Sequence, residues 1–388
     1  MSSSTPAVIC DTGTGAVKAG FAGDIEPRIT IPTLLGRLDG GVAGQTLVVG
    51  EAASAARSTM ALSHPIQHGI VKDWDGMESI WDHTWDSLGL AQMSFSDLRV
   101  VQTEAALNPR SNREKIVQAM FEKYGFGAVN MSVQAILALT SRGLNTGFVV
   151  DSGDGVTHLV PVTEGYVQPA HVQRMDMAGR HVTEFLMKLL IGQGHPLNAK
   201  TDFETVREVK QRLCYVAHDF AKEQKLSRET TVVDRMYTLP DSRIIRVGTE
   251  RFTAPEVLFQ PGLAGHDGKG LAELVYETIR RSDIDVQKDY FKAIILSGGS
   301  TMFPGLSTRL EKEVAQLYFE KVLQGDRSRR SLFNVRVEDP PCRQDMVFRG
   351  ASILAEAYDE SHPWWITRTE FLECGASVVE RLIPTKLS

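Results

Sequence analysis

The sequence predicts an α/β fold made of two similar domains, and three observations carry that prediction. Strand-like apolar runs alternate with segments of helical spacing, the pattern of layered α/β architecture. A chain of 388 residues is long enough to bury more than one core. Two short segments are also near-copies of each other. Asp11-Thr12-Gly13-Thr14-Gly15 follows the apolar run Ala7-Val8-Ile9-Cys10, and Asp151-Ser152-Gly153-Asp154-Gly155 follows Phe148-Val149-Val150. Each copy reads as a strand ending in Asp, a tight turn and a second strand. Glycine at such a bend allows positive φ and removes the Cβ that would block a ligand.

Taken in order, residues 7–10 and 16–21 read as a strand meander, followed by a loop through Pro27 and Pro32. Residues 38–44 read as a surface loop from their Gly content. Residues 112–121 place Ile116, Val117, Met120 and Phe121 at helical spacing, with Asn112 as the expected cap. Residues 133–139 form an apolar helix, and strand periodicity takes over from Gly147. Residues 182–191 and 203–217 read as helices and 238–245 as a hairpin. Residues 291–296 read as a buried strand stopping at Gly298-Gly299, and 306–323 as a long helix. No period of 20–50 residues runs through the chain, so a solenoid is not expected.

Hydrophobic content of 42% and charged content of 23% are ordinary for a soluble globular protein. A net charge of −6 gives no reason to expect nucleic acid or an anionic membrane as the main partner. The start, Met1-Ser2-Ser3-Ser4-Thr5-Pro6, has no basic or apolar character, so no secretory signal is expected. No segment approaches the roughly 20 apolar residues of a membrane span. Cys10, Cys214, Cys342 and Cys374 are scattered, which points to reduced structural thiols. Arg327-Ser328-Arg329-Arg330 reads as a solvated loop and Trp364-Trp365 as packed in a core or groove. There is no G-x-x-x-x-G-K-[ST], no G-x-G-x-x-G, no H-E-x-x-H and no paired-Cys zinc pattern.

The repeated hairpin carries the chemistry. Its hydroxyls and turn N–H groups can hold phosphate oxygens as an anion nest. Two copies suggest two domains closing on one nucleotide from opposite sides. A single D-x-G-x-G is more often an ordinary turn; two, each after a buried strand, point to a nucleotide. ATP with Mg²⁺ suits them, because Mg²⁺ keeps several waters and binds through carboxylates plus phosphates. Asp11 and Asp151 are placed to hold those waters, and Asp154 adds a third carboxylate near the phosphates. Thr12, Gly13, Thr14 and Gly15 in one copy, with Gly153, Asp154, Gly155 and Val156 in the other, are the expected phosphate contacts. Lys18 follows the first turn, within reach of the β and γ oxygens. In Gly298-Gly299-Ser300-Thr301-Met302 the glycines admit a flat base and Met302 covers its face. Hydrolysis needs a water in line with the γ-phosphorus. The candidates to hold it are Gln134, a lone amide on the apolar helix, and His158, which closes the second copy. Either one alone would more often be a satisfied core polar residue.

The two hairpins resemble the phosphate loops of the actin, Hsp70 and sugar-kinase superfamily. Longer stretches are similar to actin: Val17-Lys18-Ala19-Gly20-Phe21-Ala22-Gly23, His68-Gly69-Ile70-Val71, the run from Asp151 to His158, and Leu296-Ser297-Gly298-Gly299-Ser300-Thr301-Met302-Phe303-Pro304-Gly305. The similarity extends from about Val8 to about Arg381. It implies an actin-like ATPase fold, two similar α/β domains around a nucleotide cleft. Residues 1–142 plus 350–388 would form the small domain, with 32–67 as its peripheral subdomain. Residues 143–349 would form the large one, with about 179–264 peripheral. The resemblance makes Gln134 and His158 the water-positioning pair of a slow ATPase that acts as a timer. It places Lys210 and Gly179 near the adenosine. Three positions depart from the family: Gln211 stands for a ribose-binding glutamate, Thr12 for an asparagine, and Gln344 for a lysine beside the base. An uncharged amide at 211 implies weaker nucleotide affinity.

Residues 317–326, continuing through 334–341, are longer than in conventional actin. An insertion of this kind resembles the actin-related, ATP-binding subunit of the branched-filament nucleator, as do 202–207, 224–226, 229–232 and 271–274. That likeness implies a subunit that pairs with a second actin-like subunit inside a multi-protein complex, mimics a filament end and receives actin monomers on the side of an existing filament. Nucleation-promoting factors would be further partners, and cytoplasm, actin cytoskeleton and cell projections the expected locations. The loop at 38–45 is shorter than in either relative, and His68 is the more actin-like residue. The alternatives are an unconventional actin that self-polymerises, and a sugar kinase, for which no sugar pocket with a catalytic base is evident.

Overall fold

The computed structural model describes residues 6–38, 47–199, 201–326, 328 and 334–382. The loop positions 39–45, the residues Met1 to Thr5 and three of the four residues in the basic run (Arg327, Arg329, Arg330) lie outside the described residues. The chain divides into two compact units. One comprises the described residues of Met1–Val149, Val162–Val172 and Asp345–Ser388; the other comprises those of Val150–Pro161 and Gln173–Gln344.

In the first unit, Ala7–Thr12 and Ala16–Phe21 pair antiparallel, in register from Val8 opposite Phe21 to Thr12 opposite Val17. They sit in a six-stranded sheet ordered Ile366–Thr367, Ala128–Val133, Arg99–Glu104, Ala7–Thr12, Ala16–Phe21, Ile29–Pro32. Side chains alternate across a strand. Val8 and Cys10 therefore enter one core, with Trp81, Trp85, Phe121 and Phe126, while Ala7 and Ile9 enter another with Leu137, Phe348 and Trp365. Burial on both faces explains why the strand reads as an unbroken apolar run rather than an alternating one.

The second unit repeats the plan. The other six-stranded sheet runs Tyr166–Val167, Thr157–Thr163, Gly147–Ser152, Ile294–Ser297, Val337–Glu338, with Gln173–Met175 paired to Thr157–Thr163. In both sheets the strand leading into a D-x-G turn lies between its hairpin partner and a strand from later in the chain. The helix Gly179–Gly192 buries Val182, Leu186 and Leu190, an i, i+4, i+8 stripe. A buried ion pair joins two other helices: Glu256, fully buried, accepts from Arg309 Nη2 at 2.8 Å, and Arg309 Nη1 donates to the Ala217 carbonyl at 2.6 Å.

Several sequence expectations are corrected. The helix expected at 112–121 starts earlier, as Arg110–Gln118 after Pro109, and continues as a π-helical turn, Ala119–Tyr124. Asn112 is therefore buried in the first turn and does not cap it; Pro109, with φ −60° and ψ 143°, sets the entry. The helix expected at 203–217 ends at Leu213. Beyond it the backbone bonds elsewhere, Tyr215 N–H to the Arg251 carbonyl and Val216 N–H to that of Pro304. Phe291 closes the helix Ile284–Lys292, and the strand is only Ile294–Ser297. The long helix is Leu306–Lys321. Gly13 and Gly153 are not at positive φ. The glycine of these motifs that does lie at positive φ is Gly298, at φ 89° and ψ 156°.

All four cysteines are free thiols, and burial pushes those of Cys10 and Cys214 up to about 12. Trp365 is buried under the Arg99 guanidinium at 4.7 Å. Among the described residues no helix is long and apolar enough to cross a membrane.

Candidate nucleotide site

The two turns share one backbone geometry. Gly13 N–H donates to the Ala16 carbonyl at 3.1 Å, and Gly153 N–H donates to the Val156 carbonyl at 3.1 Å.

In the first unit, Asp11 is almost fully buried at the end of its strand. Its Oδ1 accepts from Thr103 Oγ1 at 2.7 Å and from Gln134 Nε2 at 3.4 Å. Gln134 opens the helix, which runs Gln134–Thr140 where 133–139 was expected, so its amide projects from a helix start beside the carboxylate. Thr12 bonds into the sheet: its N–H donates to Thr103 Oγ1 and its hydroxyl to Gln102 Oε1, both at 3.2 Å. Thr14 Oγ1 accepts from Gly69 N–H at 3.0 Å, which leaves its own proton to be donated. Thr33 fastens the turn's oxygens. Its hydroxyl donates to the Gly13 carbonyl at 2.8 Å and its N–H to that of Gly15 at 3.2 Å. Lys18 pairs with Asp345 at 3.1 Å.

The second unit fastens its turn in the same manner with different residues. The Gly153 carbonyl accepts from Gly179 N–H at 3.1 Å and from Ser300 Oγ at 2.6 Å. The Asp154 carbonyl accepts from Arg180 N–H at 2.8 Å. Asp154 Oδ2 takes both Nε and Nη2 of Arg180, at 3.1 and 2.7 Å. Burial opposes ionisation of that carboxyl, but Arg180, Lys210 and Arg207 hold it below the usual carboxylate range. Asp154 is thus a paired carboxylate rather than an open metal ligand.

Lys210, buried on the helix Phe203–Leu213, donates to the Gly179 carbonyl at 2.8 Å. Burial lowers its ammonium to about 8, with Asp154 pulling the other way. Gly179 is a close-approach glycine: an added Cβ would lie 2.3 Å from Ser300 Oγ. Gly298 is another, its Cβ position 2.3 Å from the Ser152 carbonyl oxygen and 3.0 Å from Asp151 Oδ1, whereas nothing lies within 4 Å of a Cβ on Gly299. Met302 is half-buried and Gln211 and Gln344 are exposed. His158 is buried, 4% exposed, on the strand Thr157–Thr163. Burial and the nearby Arg174, against a smaller effect of Asp176, push its imidazolium down to about 4, so the ring is neutral at pH 7.

The actin family model matches residues 2–384. The chain belongs to the actin family. It is 44% identical over 389 residues to "Actin-related protein 2" of Drosophila melanogaster, with 97% of each chain covered. The proteins of that name from Arabidopsis thaliana and Schizosaccharomyces pombe are also 44% identical, over 382 and 384 residues, with 97% of this chain and 98% of each relative covered. Membership in the actin family implies nucleotide binding, and the mixed α/β architecture agrees with the actin-like ATPase fold.

Sequence reasoning missed the residues that hold this actin-family chain's turns in shape. Thr103, Thr33 and Arg180 are distant in sequence from the groups they bond. Only Arg180 had a local signal, a charged residue directly after the candidate glycine Gly179.

Proposed function

We propose that this chain binds one Mg²⁺-ATP through both D-x-G turns and serves as the ATP-binding actin-related subunit of the actin-related protein 2/3 complex, which nucleates branched actin filaments. The matched turn geometry carries the nucleotide reading. Asp11 and Asp151 each stand at the end of a strand, suited to hold the water shell of Mg²⁺ while the phosphates supply direct ligands. No group of three or more His, Cys, Asp and Glu side chains that could hold a metal occurs among the described residues. Thr14 donates to the γ-phosphate and Lys18 neutralises the β and γ oxygens. Gly298, Gly299, Ser300 and Met302 receive the base, with Lys210 and Gly179 close to the adenosine.

Gln134 and neutral His158 orient the attacking water. Hydrolysis is slow, a timer for the assembly rather than a metabolic step. Identity of 44% over 97% of the chain to three proteins named "Actin-related protein 2" supports the complex over a self-polymerising filament. ATP shifts the assembly toward its active pairing only to the extent that it binds that form more tightly. A second actin-like subunit, actin monomers, an existing filament and nucleation-promoting factors are the partners, in the cytoplasmic actin cytoskeleton and cell projections.

Affinity purification of the full chain tests this reading. Recovery with a fixed set of different subunits supports it; recovery as pelletable filaments of this chain alone contradicts it. Gln134→Ala is expected to slow single-turnover ATP hydrolysis by about 10²-fold, the scale of losing a positioned water, with ATP affinity changed less than threefold. Equal hydrolysis rates in variant and parent would remove Gln134 from that role.

A further inference from the structure

The second phosphate turn is held almost entirely by its oxygens. The Gly153 carbonyl accepts from Gly179 N–H and Ser300 Oγ, the Asp154 carbonyl accepts from Arg180 N–H, and the Asp154 carboxylate accepts twice from the Arg180 guanidinium. All peptide bonds described are trans, and in a planar trans peptide the C=O and N–H point in opposite directions. Fixing the Gly153 carbonyl toward the start of the helix Gly179–Gly192 therefore aims the Asp154 N–H away from that helix. Fixing the Asp154 carbonyl does the same for the Gly155 N–H. Those two amides are the donors that an anion nest in this turn needs.

The Asp154 side chain poses a second problem. It is an anion inside a turn that must receive anions. Only 18% of its side chain is exposed, so water screens its charge poorly. The Arg180 guanidinium, donating from Nε and Nη2 to the one oxygen Oδ2, fixes the side chain's direction and neutralises its charge, while the Arg180 N–H holds the Asp154 carbonyl.

We propose that Arg180 is a positioning residue of the phosphate site: it aims the amides of the second turn at a polyphosphate and cancels the Asp154 charge that would repel it. Arg180 reaches the ligand through Asp154 and the turn backbone. This rests on the Mg²⁺-ATP reading above. Its signature is selectivity for the phosphate part of the ligand, because adenosine alone has no charge for Asp154 to repel.

The test measures Mg²⁺-ATP and adenosine affinities, by calorimetry or competition, for the full chain and for Arg180→Met, Arg180→Lys and Arg180→Met/Asp154→Asn. Arg180→Met is expected to weaken ATP about tenfold or more, the effect of losing a charge-assisted pair of hydrogen bonds, while adenosine affinity changes less than threefold. Arg180→Lys, which keeps the charge without the fork and is the milder variant for folding, falls between. Adding Asp154→Asn to Arg180→Met restores most of the ATP affinity, because the unpaired carboxylate is gone. A structural role alone predicts the opposite, with the double variant no better than the single. Parallel losses of ATP and adenosine, or no recovery in the double variant, would overturn the proposal while parental ATP binding leaves the nucleotide reading intact. Failure of the parent to bind ATP would overturn both.

Discussion

Gly298→Ala is expected to lower the melting temperature of the second unit by roughly 6–12 °C. The backbone at Gly298, φ 89° and ψ 156°, lies in a region that essentially only glycine populates. An added Cβ would sit 2.3 Å from the Ser152 carbonyl oxygen and 2.7 Å from its carbonyl carbon, both backbone atoms that cannot swing aside. Conformational strain of about 1–3 kcal/mol and the displacement of a packed strand end combine to about 3 kcal/mol. For a unit of this size each kcal/mol corresponds to about 2–4 °C. Gly299→Ala is the internal control. Its Cβ meets nothing within 4 Å and its φ is not positive, so it is expected to melt within about 2 °C of the parent. Similar melting of the two variants would show that the close approach at Gly298 does not constrain the fold.

Acid is expected to destabilise the second unit through His158. Its folded pKa is about 4, below the ordinary 6.5. Between those values the unfolded chain binds a proton that the folded chain refuses, so stability rises with pH across the window. The contribution is complete above pH 6.5 and is lost as pH falls toward 4. A shift of this size corresponds to about 3 kcal/mol. Other groups titrate over the same range, so the useful quantity is the difference between parent and His158→Gln, which cannot titrate. Urea unfolding at pH 7 and pH 4.5 is expected to show a smaller acid loss in the variant, by about 2–3 kcal/mol. Equal acid losses would mean that the buried imidazole gains its proton without penalty. The same neutrality at pH 7 leaves one ring nitrogen as an acceptor, which suits a residue that orients water.

Much of the fold was legible because its signals are local. The strand 16–21 and the hairpin near 238–245 show in the sequence as short strand-forming runs beside turn residues, and the hairpin's strands are Arg235–Thr238 and Ile244–Val247. The duplicated D-x-G turns mark the centre of each sheet. What escaped the sequence is set by tertiary contact. An apolar run such as 291–296 does not reveal that its first two residues finish a helix, since the ring of Phe291 packs into the core from either conformation. The end of the helix at Leu213 is imposed by the Arg251 and Pro304 carbonyls, which draw the following N–H groups into other bonds. Asn112 carried the chemistry of a cap but lies two residues inside the helix, because Pro109 already supplies the entry geometry.

The candidate site divides in the same way. Its acidic residues and glycines were readable from the repeat, whereas their supports were not. Nothing in the chain near Asp11 announces Thr103, and nothing near Gly153 announces Ser300. The glycine argument itself shifted: positive φ is needed at Gly298, while Gly13 holds its turn by close approach, its Cβ position 2.9 Å from the Ala16 carbonyl oxygen.

One titration reaches the central claim that both turns bind a single triphosphate. Mg²⁺-ATP affinity and stoichiometry would be measured for the parent, Asp11→Asn, Asp151→Asn and the double variant. The prediction is one ATP per chain in the parent, a loss of about 10- to 100-fold in each single variant, the scale for removing an outer-shell metal contact, and a non-additive loss in the double variant because both carboxylates serve one ion. Two ATP per chain, or full affinity in either single variant, would contradict it.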